Sequence, residues 1–150
     1  MAHNTQNVWT DRGLLLLRAI LGVVFIAHGG QKLFVYGLPG VAGMLGSLGI
    51  PFPEVNAVLI TATELGGGIA LLAGVATRFA AGIVAFAMGV AVVTAHLANG
   101  FFAPQGIEFP LTLLVANLAI VLTGAGRYSV DALFNPRPTA QANSQWKAAA

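Results

Sequence analysis

The 150-residue chain has no cysteine. That excludes disulfides, thiol redox chemistry, cysteine-ligated iron–sulfur clusters and covalent haem attachment, so any redox function must run through another group. Charge is nearly as scarce. Only 8% of residues are Asp, Glu, Lys or Arg, against roughly a quarter in an ordinary globular domain, and a water-soluble fold of this size could not cover its surface with so few. No basic stripe occurs: seven Lys/Arg are scattered against five Asp/Glu, so the pI near 9.5 does not point to nucleic acid. Period-two alternation is missing, and with it the ~10-residue alternating segments of a membrane barrel. No strand–turn–helix context surrounds Gly29-Gly30, which excludes a nucleotide-binding fingerprint.

What fills the sequence is apolar. Hydrophobic residues make up 57% of it, mean hydropathy is +0.81, and four long apolar runs cover about 13–36, 55–75, 79–100 and 109–126. Each is near the ~20 residues a helix needs to cross a ~30 Å hydrocarbon core. The fold expected is therefore an all-α membrane protein, a four-transmembrane-helix bundle in contact with the lipid bilayer. The first run is too long for a secretion signal, is interrupted by Arg18 and lacks a small-residue cleavage site, so it reads as a span.

Residues 1–12 form a polar N-terminal segment expected to lie along the surface, with Trp9 as an interfacial anchor. The connection 37–54, GLPGVAGMLGSLGIPFPE, is rich in Gly and Pro, and a short interfacial helix is expected over 41–48 before Pro51 and Pro53. A tight connection at 76–78 makes spans two and three a hairpin. Residues 134–150 are polar, Ala-rich and expected to be disordered. One side of the bundle collects Arg12, Arg78, Arg127, Arg137 and Lys147, the other only Lys32. This bias places both termini in the cytoplasm. Spans one and three also share an offset pattern, His28, Gln31 and Phe34 against His96, Asn99 and Phe102, with Glu64 and Asn117 in the spans that follow, a pattern consistent with a duplicated hairpin.

Ionisable groups inside a span cost about 2.5–3.5 kcal/mol or more and default to paired or functional roles. Here they are Arg18, His28, Lys32, Glu64 and His96. Helical rise puts Arg18 about 8 Å from the cytoplasmic edge, Glu64 about 17 Å, His28 about 23 Å and His96 about 26 Å, with Lys32 near the outer boundary. Arg18, Phe25, His28 and Lys32 share one face of span one. Gly82, Ala85, Gly89 and His96 share one of span three, where small residues admit a neighbouring backbone. The simplest bundle brings Arg18, Glu64, His28 and His96 toward one axis, with most polar chemistry in the outer half and an inner half of packing. The structural reading pairs Glu64 with Arg18 and lets Lys32 snorkel to the headgroups. Three chemistries fit the functional one: a metal on His28, His96 and Glu64, a quinone headgroup held by His and Lys donors, or a proton or ion path.

The segments RAILGVVFIAHGGQKLF (18–34), LPGVAGMLGSLGIP (38–51), TELGGGIALLAGVATR (63–78), AHLANGFFAPQGIEFPL (95–111) and LTGAGRYSVDAL (122–133) together resemble the DoxX family of small bacterial membrane proteins. The resemblance implies a four-helix bundle in the bacterial inner membrane and a link to oxidoreductase systems. The expectation it supports is an accessory or redox subunit, with soluble or membrane redox partner proteins, the capacity to form homo-oligomers, and a pocket for quinone or another small hydrophobic ligand. Glu64, His28 and His96 are the candidate catalytic groups, and Lys32, Gln31, Asn99 and Arg18 the candidate ligand-binding groups. The cofactor is not specified by any motif; quinone is the candidate. Two other readings stand beside it: a non-catalytic scaffold recruiting soluble partners, and proton or small-molecule transport.

Overall fold

A computed structural model of the chain describes residues 2–134, with side chains from residue 8 onward; the expected disordered segment 134–150 lies almost wholly outside them. Every regular element among the described residues is helical. In hydrocarbon each backbone amide must be paired within its own segment, and the apolar runs satisfy this as helices. Helix α1 spans Ala2–Gln31 and continues through a π-helical stretch, Lys32–Tyr36. It therefore begins well ahead of the apolar run, and the N-terminal segment extends the helix.

The helical run Val8–Ser47 is 40 residues long, about 60 Å at 1.5 Å per residue and twice the hydrocarbon core. Gly37 divides it. Its φ of 67° and ψ of 156° suit glycine and few other residues, and there the chain turns into α2, Gly37–Ser47. The buried face of α2, Val41 and Ala42, packs on Ala57 of α3, Pro53–Ala73. The short helix expected over 41–48 thus exists, begins four residues earlier and is docked on the second span.

Pro53 opens α3 at a position where a missing N–H costs nothing. A tight turn through Gly74 and Ala76 leads into α4, Thr77–Ala91, which continues as a π-helical stretch Val92–His96 and a 3-10 turn Leu97–Asn99. Helix α5 covers Glu108–Thr123. Three helices are long and apolar enough to cross a membrane; α5 is apolar but has 16 residues, about 24 Å of rise. The fold is all-helical with three to four membrane-spanning helices. After α5 the chain turns back, and a short helix α6, Asp131–Phe134, meets the α3–α4 hairpin where the Asp131 amide donates to Gly74 O at 2.9 Å.

The four long helices alternate in direction. The start of α1, the α3–α4 turn and residues 124–134 share one end, here the termini end, joined by the Arg127 amide donating to Asp11 Oδ1 at 3.0 Å. The far end holds α2 and the 100–107 connection. The core lies between them: Leu21 and Phe25 of α1, Leu71 of α3, Val84 and Met88 of α4, and Leu113 and Ile120 of α5.

Glycines set the tightest contact, between α1 and α3. A Cβ at Gly68 would lie 2.8 Å from Ile26 N and 2.9 Å from Gly22 O, and one at Gly29 2.8 Å from Leu65 N. The two backbones touch, as small residues permit. Span three does not use its small residues this way. A Cβ at Gly89 would meet nothing within 4 Å and one at Gly82 only Val121, at 3.9 Å. These glycines line an open apolar groove of about 630 Å³ with Ala85, Phe86, Leu114 and Leu118.

Candidate functional site: a buried ion pair between α1 and α3

Close glycine contact fixes the register of α1 against α3. Gly29 stands level with Glu64 and Leu65, and Gly22 with Gly68 and Leu72. Lys32 is then one turn beyond the level of Glu64, within reach of a lysine side chain. Lys32 Nζ donates to Glu64 Oε2 at 2.7 Å, with the carboxylate side chain 5% exposed and the lysine 17%. The expected counter-ion, Arg18, is not the partner. Arg18 is level with Gly74, where a Cβ would overlap its guanidinium, and Gly74 is ten residues from Glu64, about 15 Å along the helix. Counting each span from its own membrane edge misplaced Lys32 because the glycine crossing, not the ends of the apolar runs, sets the relative height. Lys32 likewise turns inward to a carboxylate instead of snorkelling.

The shared face expected on α1 is present. Arg18 and Phe25 are buried, His28 and Lys32 half-buried. The His28 ring sits 5.8 Å from that of Phe109 at the start of α5, tilted 39°, so His28 occupies the α1–α5 seam one turn from Lys32. His96 is elsewhere: its Nδ1 is hydrogen-bonded to Gln105 O at 2.8 Å, tying the end of α4 to the 100–107 connection. Among the described residues no hydrogen bond, ion pair or ring contact joins His96 to His28 or Glu64, and no three His, Asp or Glu stand as a metal-holding group. The two-histidine, one-carboxylate metal set is therefore not assembled. Gln31 and Asn99 are exposed, Asn99 donating to Ala95 O at 3.0 Å within its own helix. The offset match between spans one and three does not carry into geometry, since His28 precedes one π-helical stretch and His96 closes the other. Asn117 is fully buried on α5 and donates to Leu113 O at 2.8 Å.

A second polar cluster lies at the termini end, where packing around Arg18 was chiefly expected. Arg18 is 1% exposed and donates through Nη2 to Tyr128 O at 2.5 Å. Asp131 accepts from the Ala76 and Thr77 amides at 2.7 and 2.8 Å, capping the start of α4. Burial pushes the Asp131 carboxyl up, but those amides and the Arg18 charge outweigh it and hold the group below the ordinary carboxylate range. Sequence reasoning passed over Asp131 and Asp11. The available signal was two acids on the side that otherwise collects positive charge.

Neither the α4–α5 groove nor a second groove of about 550 Å³ between α2 and α3, lined by Leu38, Ala42, Gly46 and Val58, is lined by Lys32, Glu64, His28 or His96. The ion pair lies in the packed α1–α3 seam, apart from both of these grooves. Its chemistry is that of a carboxylate held by a single lysine, with an imidazole one turn away facing an aromatic ring.

A family model described as DoxX matches residues 13–97. CatD of Bacillus subtilis, provisionally named an oxidoreductase, is 34% identical over 126 residues, 84% of this chain and 90% of that protein. The inner membrane protein YqjF of Escherichia coli is 31% identical over 85% of this chain and 95% of its own length, and the inner membrane protein YphA of the same organism 28% identical over 79% and 87%. No solved structure gives a significant match.

Proposed function

Since the chain belongs to the DoxX family of multi-pass membrane proteins, we propose that it serves a bacterial inner-membrane oxidoreductase system as an accessory redox subunit that handles protons for a quinone-class ligand. The observation that carries this reading is the Lys32–Glu64 pair, whose 5%-exposed carboxylate is held by one lysine. A pair kept for stability alone would do as well as two apolar residues of similar volume. The relative named as an oxidoreductase supplies the redox context, and the names of the E. coli relatives the membrane.

The donor set suits a quinone carbonyl. Lys32 and His28 donate, Glu64 holds or releases a proton, and the half-exposed ring of Phe109 beside His28 offers a face for stacking. Such a ligand would arrive laterally from lipid along the α1–α5 seam. In this assignment Glu64 is the proton carrier, Lys32 sets its charge and His28 orients the headgroup. His96 acts from the end of α4, where it is tied to the 100–107 connection. The test is quinone-dependent electron transfer in membranes carrying Glu64→Gln. Proton transfer by a positioned group is worth about 10²-fold or more, so a drop of that order is expected, and an unchanged rate removes the proposal.

We also place both termini in the cytoplasm. Among the described residues the far end carries one cation, Lys32, and it is neutralised by Glu64, whereas Arg12, Arg78 and Arg127 are all at the termini end, which strengthens the charge bias. The chain has no cysteine, so Thr10→Cys and Gln105→Cys can be labelled separately by an impermeant thiol reagent in intact cells. Labelling of the first and protection of the second would reverse the orientation.

A further inference from the structure

Arg12, Arg78 and Arg127 are exposed at the termini end, while the ion pair found among the described residues, Lys32–Glu64, belongs to the far end. The acids nearest these arginines are turned inward. Asp11, 6% exposed, accepts from the Arg127 amide, and Asp131 accepts from the Ala76 and Thr77 amides. This end shows its cations and commits its carboxylates to backbone amides. One turn links the three arginines: the Arg78 guanidinium lies over Gly124, where a Cβ would be 3.1 Å from Nε, and the Arg127 amide is bonded to the residue preceding Arg12.

Exposed aromatic rings stand at this end too. Trp9 lies 5.0 Å from the Arg12 guanidinium carbon, and Phe79 and Tyr128, the residues after Arg78 and Arg127, are exposed at the same level. Aromatic rings at the ends of membrane helices settle at headgroup level. Rings at that level set this end of the bundle, and the arginines it carries, at the depth of lipid phosphates, which favours a lipid over an acidic soluble protein.

We propose that the termini end binds anionic phospholipid, with the headgroup phosphate held by Arg78 and Arg127 beside the 124–127 turn and Arg12 adding to the field. Guanidinium is suited to this by its forked, bidentate geometry toward phosphate. The site is independent of the redox reading and of which leaflet the termini face.

Native mass spectrometry of the purified full chain with equal amounts of phosphatidylglycerol and phosphatidylcholine tests it. Wild type is expected to retain phosphatidylglycerol preferentially. Each Arg→Gln change should lower the preference roughly fivefold, the effect of one cation near an anionic surface. The triple variant Arg12→Gln/Arg78→Gln/Arg127→Gln should retain the two lipids alike, with its unfolding temperature in phosphatidylcholine unchanged. Should the triple variant fail to fold, the three single variants carry the test. No preference in wild type, or a preference that survives every substitution, overturns the site. Equal retention of both lipids together with arginine-dependent capture of an acidic protein would assign the surface to that partner and overturn it too.

Discussion

The two ends of the bundle each set an acid near a base, but they use them differently. At the termini end Asp131 is spent on backbone amides of α4, Arg18 on the Tyr128 carbonyl, and the pair knits residues 124–134 to α1, α3 and α4. At the far end Lys32 and Glu64 are spent on each other. A side chain that holds backbone is fixed by the fold it secures. A side-chain pair with no backbone partner can change protonation or geometry without unfolding anything, which is why the far end is the candidate site and the termini end the clasp.

The comparison breaks most easily at Arg18. Arg18→Ala removes a fully buried guanidinium, unpairs the Tyr128 carbonyl and takes a nearby positive charge from Asp131, so a loss of about 3 kcal/mol is expected in thermal or denaturant unfolding in a fixed detergent. A loss below about 1 kcal/mol would mean the clasp is not structural. The α1–α3 crossing comes next. Gly68→Ala drives a methyl into Ile26 N and Gly22 O, backbone atoms that cannot swing aside, and should cost about 2 kcal/mol. It should also part Lys32 from Glu64, so its quinone binding should fall further than that of Gly66→Ala, whose Cβ meets nothing within 4 Å.

The far end should respond weakly in stability. Lys32 is 17% exposed, so Glu64→Gln leaves it free to turn toward the headgroups, and a change of about 1 kcal/mol is expected where a sealed pair would lose more. The smallest effect is the acid response of the clasp. The folded-state value of Asp131 lies below its unfolded value of 3.8, so its contribution is complete above that value and lost as pH falls through the lower folded one. Asp131→Asn should flatten the acid limb of a stability–pH profile below about pH 4 and leave the neutral range parallel to wild type.

Much of this was legible in the sequence because the bilayer imposes it. Hydropathy located the helices, and the 100° periodicity placed Arg18, Phe25, His28 and Lys32 on one face. What was not legible was relative height. Which residue of α1 faces which residue of α3 depends on a backbone crossing between Gly22, Gly29 and Gly68, three positions of no chemical individuality, and a slip of about three turns would bring Arg18 level with Glu64 in place of Lys32. The Asp131 cap was hidden for a different reason: it is formed between residues more than fifty apart in sequence, and its acid sits in a short helix after the last span, where no periodicity points inward.

The central claim is that the Lys32–Glu64 pair exists for a ligand and not for the fold. Its most direct test is the binding of a short-chain ubiquinone analogue by purified wild type and by Lys32→Met/Glu64→Met, titrated side by side in the same detergent. Saturable binding by wild type is expected, with its loss in a double variant that unfolds within about 1 kcal/mol of wild type. Equal binding by both proteins, or none by wild type, would contradict it.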